Sequence, residues 1–278
     1  MKKAFSLSNY MFVLLFSCLS SAYASDMKDA QAYQLMDKSG LTRAIESLPQ
    51  QMQALSQQMA LTEKNAGSQQ AFSSLLQQSV NTDQMLQQIA TYLKSQLNAE
   101  ETVALLAWLS SEPTATVIDA ELQSSDPQFQ QNLMRYIADL QSNPPADARK
   151  QAIINFVQST QMVEQSVKMI MSIVDGMFDG VKATRANDPQ VAATLDQQKA
   201  QMEPMLQGAM QQQMVLTSYY IYRDISDEDL AKYAQFYQTD LGKKYLSIMY
   251  GAIGTALGNW GTDFVNLMVK QDTEKQSQ

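Results

Sequence analysis

Residues 98–118, NAEETVALLAWLSSEPTATVI, and 226–246, SDEDLAKYAQFYQTDLGKKYL, carry one helix-turn-helix pattern written twice, 128 positions apart. Thr102, Leu105, Leu106, Trp108 and Leu109 of the first copy fall on Leu230, Tyr233, Ala234, Phe236 and Tyr237 of the second. These positions keep the i, i+3, i+4, i+7 spacing of one helix face. A capping residue opens each copy: Asn98-x-x-Glu101 has capping-box spacing and Ser226-x-x-Asp229 is a close variant of it. Pro113 is tolerated only in a helix's first turn, so the second helix of copy one starts near Ser111. By alignment, Thr239 caps the second helix of copy two, with Gly242 in its first turn.

Weaker matches hold nearly the same offset. QLMDKSG (34–40) resembles QMVEQSV (161–167) at 127; Leu86, Tyr92 and Leu93 fall on Met214, Tyr220 and Ile221. Phe129, Tyr136 and Ile137 fall on Leu257, Phe264 and Val265. Helix formers dominate and long valine-isoleucine alternation is missing, so the fold class is all-α. We expect two tandem four- or five-helix units, 25–143 and 144–270, from an internal duplication, packed together and followed by a polar tail, 271–278. Asn143-Pro144-Pro145 divides them. Asp126-Pro127 and Asp188-Pro189 pair an N-cap with proline at the first helical position, and Gly40, Gly67 and Asn187 mark turns. Pro49 and Pro204 should end or kink their helices. The glutamine-rich stretches are interrupted by apolar residues at helical spacing, as in solvated helix faces.

The first 24 residues have the make-up of a secretory signal peptide: Lys2 and Lys3, a short apolar run from Tyr10 to Phe16, and Ala22-Tyr23-Ala24 as a small-x-small cleavage site. The apolar run is shorter than the roughly 20 residues that span a bilayer. The alternative is a lipoprotein signal with a lipid at Cys18, although Phe16 fits the small-residue pattern of such sites poorly. Export to the periplasm, or secretion, is expected in both cases.

Cleavage after Ala24 removes the chain's one cysteine, and there is no histidine. Disulfides, serine-histidine and cysteine-histidine catalysis, and zinc sites of the nitrogen-sulfur kind are therefore excluded from the mature chain. The leader takes Lys2 and Lys3 with it, which leaves 18 basic residues against 28 acidic ones, a net charge of −10. Such a balance repels nucleic acid and anionic lipid, so no nucleic-acid partner is expected and the membrane matters only if Cys18 is lipidated.

Sixteen methionines follow the leader, several in groups. Met169, Met171, Met202 and Met205 are candidate thioether ligands for copper(I). Methionine also fills irregular cores and makes adaptable partner surfaces. Aromatic residues gather late, and Tyr219, Tyr220, Tyr233, Phe236, Tyr237 and Trp260 are either the second unit's core or a ligand groove. Gly251, Gly254, Gly258 and Gly261 form a small-residue stripe expected to meet another helix closely, within the chain or in a homodimer.

Copy two, ISDEDLAKYAQFYQTDLGKKYLSIM, resembles a family of exported bacterial helical proteins known only as a domain of unknown function. Ser226 to Asp229, Phe236-Tyr237, Thr239-Asp240 and Gly242-Lys243-Lys244 carry the resemblance, best over 219–250. Residues 92–122 match it in degenerate form, with Thr114 in place of the glycine and no basic pair, and MDKSGLTRAIESLPQQM (36–52) looks like its amino-terminal part. The resemblance implies an all-helical periplasmic protein and carries over no catalytic residues and no cofactor. The expected function is binding of an envelope protein or peptide, chaperone-like in character. The alternatives are a carboxylate-dependent enzyme of the cell wall and a methionine-based copper(I) protein. An enzyme of the first kind needs two facing carboxylates, whereas Glu100, Glu101, Glu228 and Asp229 should lie exposed at helix starts.

Overall fold

The computed structural model describes residues 27–53, 66–126, 128–184 and 189–276, and over these the chain is all-helical, without a strand. Residues 1–26, with Cys18 and Ala24, and also Asn187 and Asp188, lie outside the described residues. The helices are α1 (Asp29–Lys38), α2 (Leu41–Glu46), α3 (Ala66–Ser79), α4 (Thr82–Gln96), α5 (Ala99–Leu109) and α6 (Thr114–Leu122). After the 143–146 break's forerunner, α7 (Phe129–Ser142), come α8 (Asp147–Ser159), α9 (Met162–Thr184), α10 (Pro189–Ile221), α11 (Asp227–Phe236) and α12 (Asp240–Gln276). No described helix is long and apolar enough to cross a membrane.

Local chemistry places the two helix-turn-helix segments as the spacing predicts. Asn98 Oδ1 accepts from the Glu101 amide at 2.9 Å, and Glu101 Oε2 accepts from the Asn98 amide at 3.1 Å, closing a capping box on α5. Ser226 Oγ accepts from the Asp229 amide at 3.1 Å, but Asp229 accepts from that hydroxyl rather than from the backbone. Thr239 Oγ1 accepts from the Gly242 amide at 3.0 Å and caps α12. A Cβ on Gly242 would lie 2.0 Å from the Phe236 carbonyl oxygen, so the α11–α12 corner closes only with glycine there. Thr102, Leu105 and Leu109 are buried on α5, and Leu230, Tyr233 and Ala234 on α11 with Tyr237 just beyond it; Leu106 is half-buried.

The core runs continuously through both halves. It joins Ala32, Leu35 and Met36 of α1 and Ile89 and Leu93 of α4 to Phe156 of α8, Tyr233 of α11 and Ala256 of α12. Helix α1 packs on α4 and α5; α8 packs on α10 and α11. The longest contact is between α9 and α12. Glycine makes it close: a Cβ on Gly176 would stand 1.9 Å from the Gly258 carbonyl oxygen, and one on Gly261 2.8 Å from that of Ile173. Thr262 Oγ1 then donates across the seam to the Gly176 carbonyl at 2.9 Å. Gly254 meets Ser172, and Gly251 meets Tyr92 of α4. The stripe thus finds its close neighbours inside the chain, and a homodimer is not needed to account for it.

Five sequence expectations are corrected. Residues 34–40 end α1 and turn at Gly40 with φ 75°, whereas 161–167 begin at Gln161 and run into α9, so these two segments occupy different places in their helices. Gly67 lies in the first turn of α3 rather than in a loop. Helix α7 is capped by Gln128, not Asp126, whose Oδ1 accepts from the Gln128 amide at 2.7 Å. Helix α6 begins at Thr114 with Pro113 at its N-cap, and not near Ser111. Pro204 lies within α10, which continues past it. Pro49 behaves as expected, since α2 stops at Glu46 and the chain breaks at Ser47 before helix resumes.

Candidate functional site

Where the two halves meet, the indole of Trp108 lies flat on the ring of Phe236, with centroids 3.7 Å apart and planes at 16°. Tyr233, Tyr237 and Tyr245 surround the indole at 5.4, 5.6 and 5.9 Å, and Phe156 of α8 extends the cluster through Tyr233 and Tyr222. Aromatic pairs at such distances add to the burial of their own area. Charged pairs rim the same seam. Lys244 of α12 reaches Glu101 of α5, and Arg149 of α8 pairs with Asp227 while donating to the Tyr222 carbonyl. The lysine and the capping bond together hold the Glu101 carboxyl below its ordinary value, against the opposing effect of its desolvation.

Glu121 stands inside this cluster. It follows Thr114, Val117 and Ile118 on the stripe that α6 turns inward. Its carboxylate accepts from the Tyr222 hydroxyl at 2.9 Å; the Tyr233 hydroxyl, which accepts from that of Tyr237 at 3.0 Å, also favours its charged form. Burial pushes the carboxyl up from 4.5 to about 7, although both hydroxyls favour its charged form. Burial likewise holds Tyr222, Tyr233 and Tyr237 well above the ordinary phenol range. The arrangement is a polar knot whose carboxyl is mostly protonated only below about pH 7, and it joins α6 to the end of α10 and to α11. Sequence reasoning passed over Glu121. Its signal was a carboxylate at an apolar-stripe position, 114-117-118-121.

Two grooves of about 570 Å³ each open elsewhere. One is polar and follows α9 and α12, with Tyr92, Lys168, Asp175, Asp179, Tyr250 and Asn259 among its lining residues. The other lies between α8, the start of α9 and α10. Its floor is Ile154, Val157, Val163, Val215 and Leu216, and its rim is Gln158, Gln161, Glu164, Gln207, Gln211 and Gln212. Glu121 lines neither groove.

The six aromatic residues named from sequence do not share a groove. Tyr233, Phe236 and Tyr237 close on Trp108; Tyr219 is buried, and Tyr220 packs with Phe129 and Tyr136 beneath Arg223. Trp260 stacks near Phe264 and donates to Ser79 of α3 at 3.0 Å. They form core and seam because each ring finds an internal partner. Of the copper candidates, Met202 and Met205 stand three residues apart on α10, whereas the α9 pair is split. Met171 is buried while Met169, two residues earlier and so on another face of α9, lines the polar groove; Met205 is 66% exposed on α10. Among the described residues no cluster of acids or cysteine could hold a metal ion. Glu100 and Glu228 are exposed at helix starts, and Glu101 and Asp229 are half-buried in their capping bonds. No family model, curated protein or solved structure matches the chain.

Proposed function

We propose that this chain is a periplasmic, all-helical binding protein with a chaperone-like or envelope-interaction role, and that its halves descend from one duplicated helical unit. The observation that carries the binding role is the open groove of α8, α9 and α10, with an apolar floor under a rim of neutral glutamines. Pockets of this size and lining suit ligands held by shape and a few polar contacts. The exposed Met205 on α10 adds an adaptable apolar contact of the kind used for varied partners. Glu121, the carboxyl raised by desolvation, is held by Tyr222 and lines neither large groove, whereas Asp175 and Asp179 line the polar groove and Glu112, Asp224 and Asp229 a smaller cavity beside Lys232.

Support for the duplication lies in symmetry of contact. In an isologous interface residue i meets residue j of the partner and j meets i. Trp108 and Phe236 are counterparts at offset 128 and stack on each other, as residues beside a two-fold axis do. Glu101 pairs with Lys244, and their counterparts Asp229 and Thr116 line one small cavity. The α1–α5 packing matches the α8–α11 packing, and α1 and α8 both end in a left-handed residue, Gly40 and Gln161. Their inward residues match as well: Ala32, Leu35 and Met36 against Ile153, Phe156 and Val157. Differences stand beside these likenesses: α12 is continuous where the first half breaks into α6 and α7, and α10 is continuous where it breaks between α3 and α4.

The binding role is tested by crosslinking the mature protein in periplasm and purifying it, together with aggregation assays of unfolded clients. Enrichment of defined partners, or suppression of aggregation at stoichiometric amounts, is expected. If nothing enriches and aggregation is unchanged, the role is refuted.

A further inference from the structure

Gly208 sets the α8–α10 groove apart. A glycine inside a helix costs about 1 kcal/mol relative to alanine. Gly176, Gly180, Gly251, Gly254, Gly258 and Gly261 each recover that cost in a close internal contact. A Cβ built on Gly208 meets nothing within 4 Å, and the residue faces the groove. Here the missing side chain leaves the α10 backbone open to something from outside.

The walls indicate the shape of that occupant. On α10, Gly208, Gln211, Gln212 and Val215 lie at i, i+3, i+4 and i+7; on the facing wall, Ile154, Val157, Gln158 and Gln161 repeat the spacing. The α10 wall is a helix face about two turns, or roughly 10 Å, long; the facing wall is the last turn of α8, continued by Gln161 in the left-handed turn beyond it. The space between them is the lane that a third helix fills in a bundle, and none of the described residues occupies it. The same protein already seats one helix on another over glycine, at Gly176 and Gly258.

Charge narrows the choice further. Glu164 is the one charged side chain among the lining residues, and the whole chain carries a net charge of −8. A second copy of this acidic chain, or the carboxylate of a fatty acid, is repelled; a basic segment is attracted. We propose, resting on the binding role above, that this groove receives an amphipathic α-helical segment of a partner protein. The segment lays a small or apolar stripe over Gly208 and directs a lysine or arginine to Glu164.

The experiment uses the mature full chain and a fluorescein-labelled synthetic helix of about 14 residues, built of Leu, Ala and Lys with apolar residues at i, i+3, i+4 and i+7. Fluorescence anisotropy should show saturable binding, at least about tenfold weaker for the same peptide with Glu in place of Lys. Gly208→Leu places a side chain in the lane and should weaken binding about tenfold or more, with thermal stability retained because the site is open. Glu164→Gln should weaken it a few-fold and flatten its salt dependence. Equal affinity for both peptides, or unchanged binding by a folded Gly208→Leu variant, overturns the proposal, as does no binding at all. In any of these cases partner capture by wild type and by Gly208→Leu alike keeps the general binding role while removing this groove from it. Displacement of the peptide by laurate, with laurate binding lost in Gly208→Leu, would replace the helix with an acyl chain and also overturn it.

Discussion

Trp108 and Phe236, 128 residues apart in sequence, lie face to face with their ring centroids 3.7 Å apart. The first lies at the end of α5 and the second closes α11, so the contact joins the ends of these two helices. Truncating either ring to alanine should cost about 2–3 kcal/mol, less than for a fully buried aromatic because both are half-buried. A double-mutant cycle by urea denaturation should return a coupling of about 1 kcal/mol. Additive effects would mean that the two rings do not support each other.

Glu121 predicts a pH dependence of stability. Its carboxyl is raised in the folded chain from 4.5 to about 7. The folded state therefore holds a proton that the unfolded state releases between these values. The stabilisation is fully present below pH 4.5 and is lost as pH rises through 7. The size is about 2 kcal/mol, reduced from the full shift because Glu121 keeps partial exposure. Glu121→Gln should gain stability over wild type at pH 8 and match it near pH 4.5. Parallel melting curves for the two proteins from pH 4.5 to 8 would contradict the buried carboxyl.

Two glycine substitutions should act in opposite directions. Gly176→Ala pushes α9 off α12, because the new Cβ overlaps the Gly258 carbonyl, and should destabilise by about 3 kcal/mol. Gly208→Ala meets open space and should stabilise by up to about 1 kcal/mol. Thermal denaturation of the two variants beside wild type separates glycine used for packing from glycine left open. Equal losses at both positions would erase that distinction.

The signal peptide expected over residues 1–24 gives a chemical prediction. Intact-mass analysis of the exported chain should find Ser25 at the amino terminus. A species beginning at Cys18 and carrying lipid would instead establish the anchored alternative.

Much of the fold is written in local signals. The caps at Asn98, Ser226 and Thr239 rest on side chains three residues from the amides they bind, so spacing alone reveals them. The glycine stripe was legible because its propensity cost demands a close neighbour, though not which neighbour: Ser172, Gly176 and Tyr92 are distant in sequence. The match of 34–40 with 161–167 misled because one helical pattern resembles another at a shift of a few residues; the left-handed turns at Gly40 and Gln161 fix the register that composition does not. The aromatic residues announced a cluster but not its closure, since whether rings line a groove or fill it depends on Trp108 and Phe156 arriving from elsewhere in the chain. The α8–α10 groove was not legible, because its walls come from separate helices and its rim is ordinary glutamine.

The most direct test of the binding role is site-specific photocrosslinking in a living cell. A photoreactive residue replaces Gln211 on the groove rim, or Lys232 on the outer face of α11, in the chain exported with its leader. The position at Gln211 should yield a discrete set of adducts with envelope proteins that is missing at Lys232 and reduced by Gly208→Leu. No adducts at Gln211, or the same adducts at both positions, would contradict a binding protein that works through this groove.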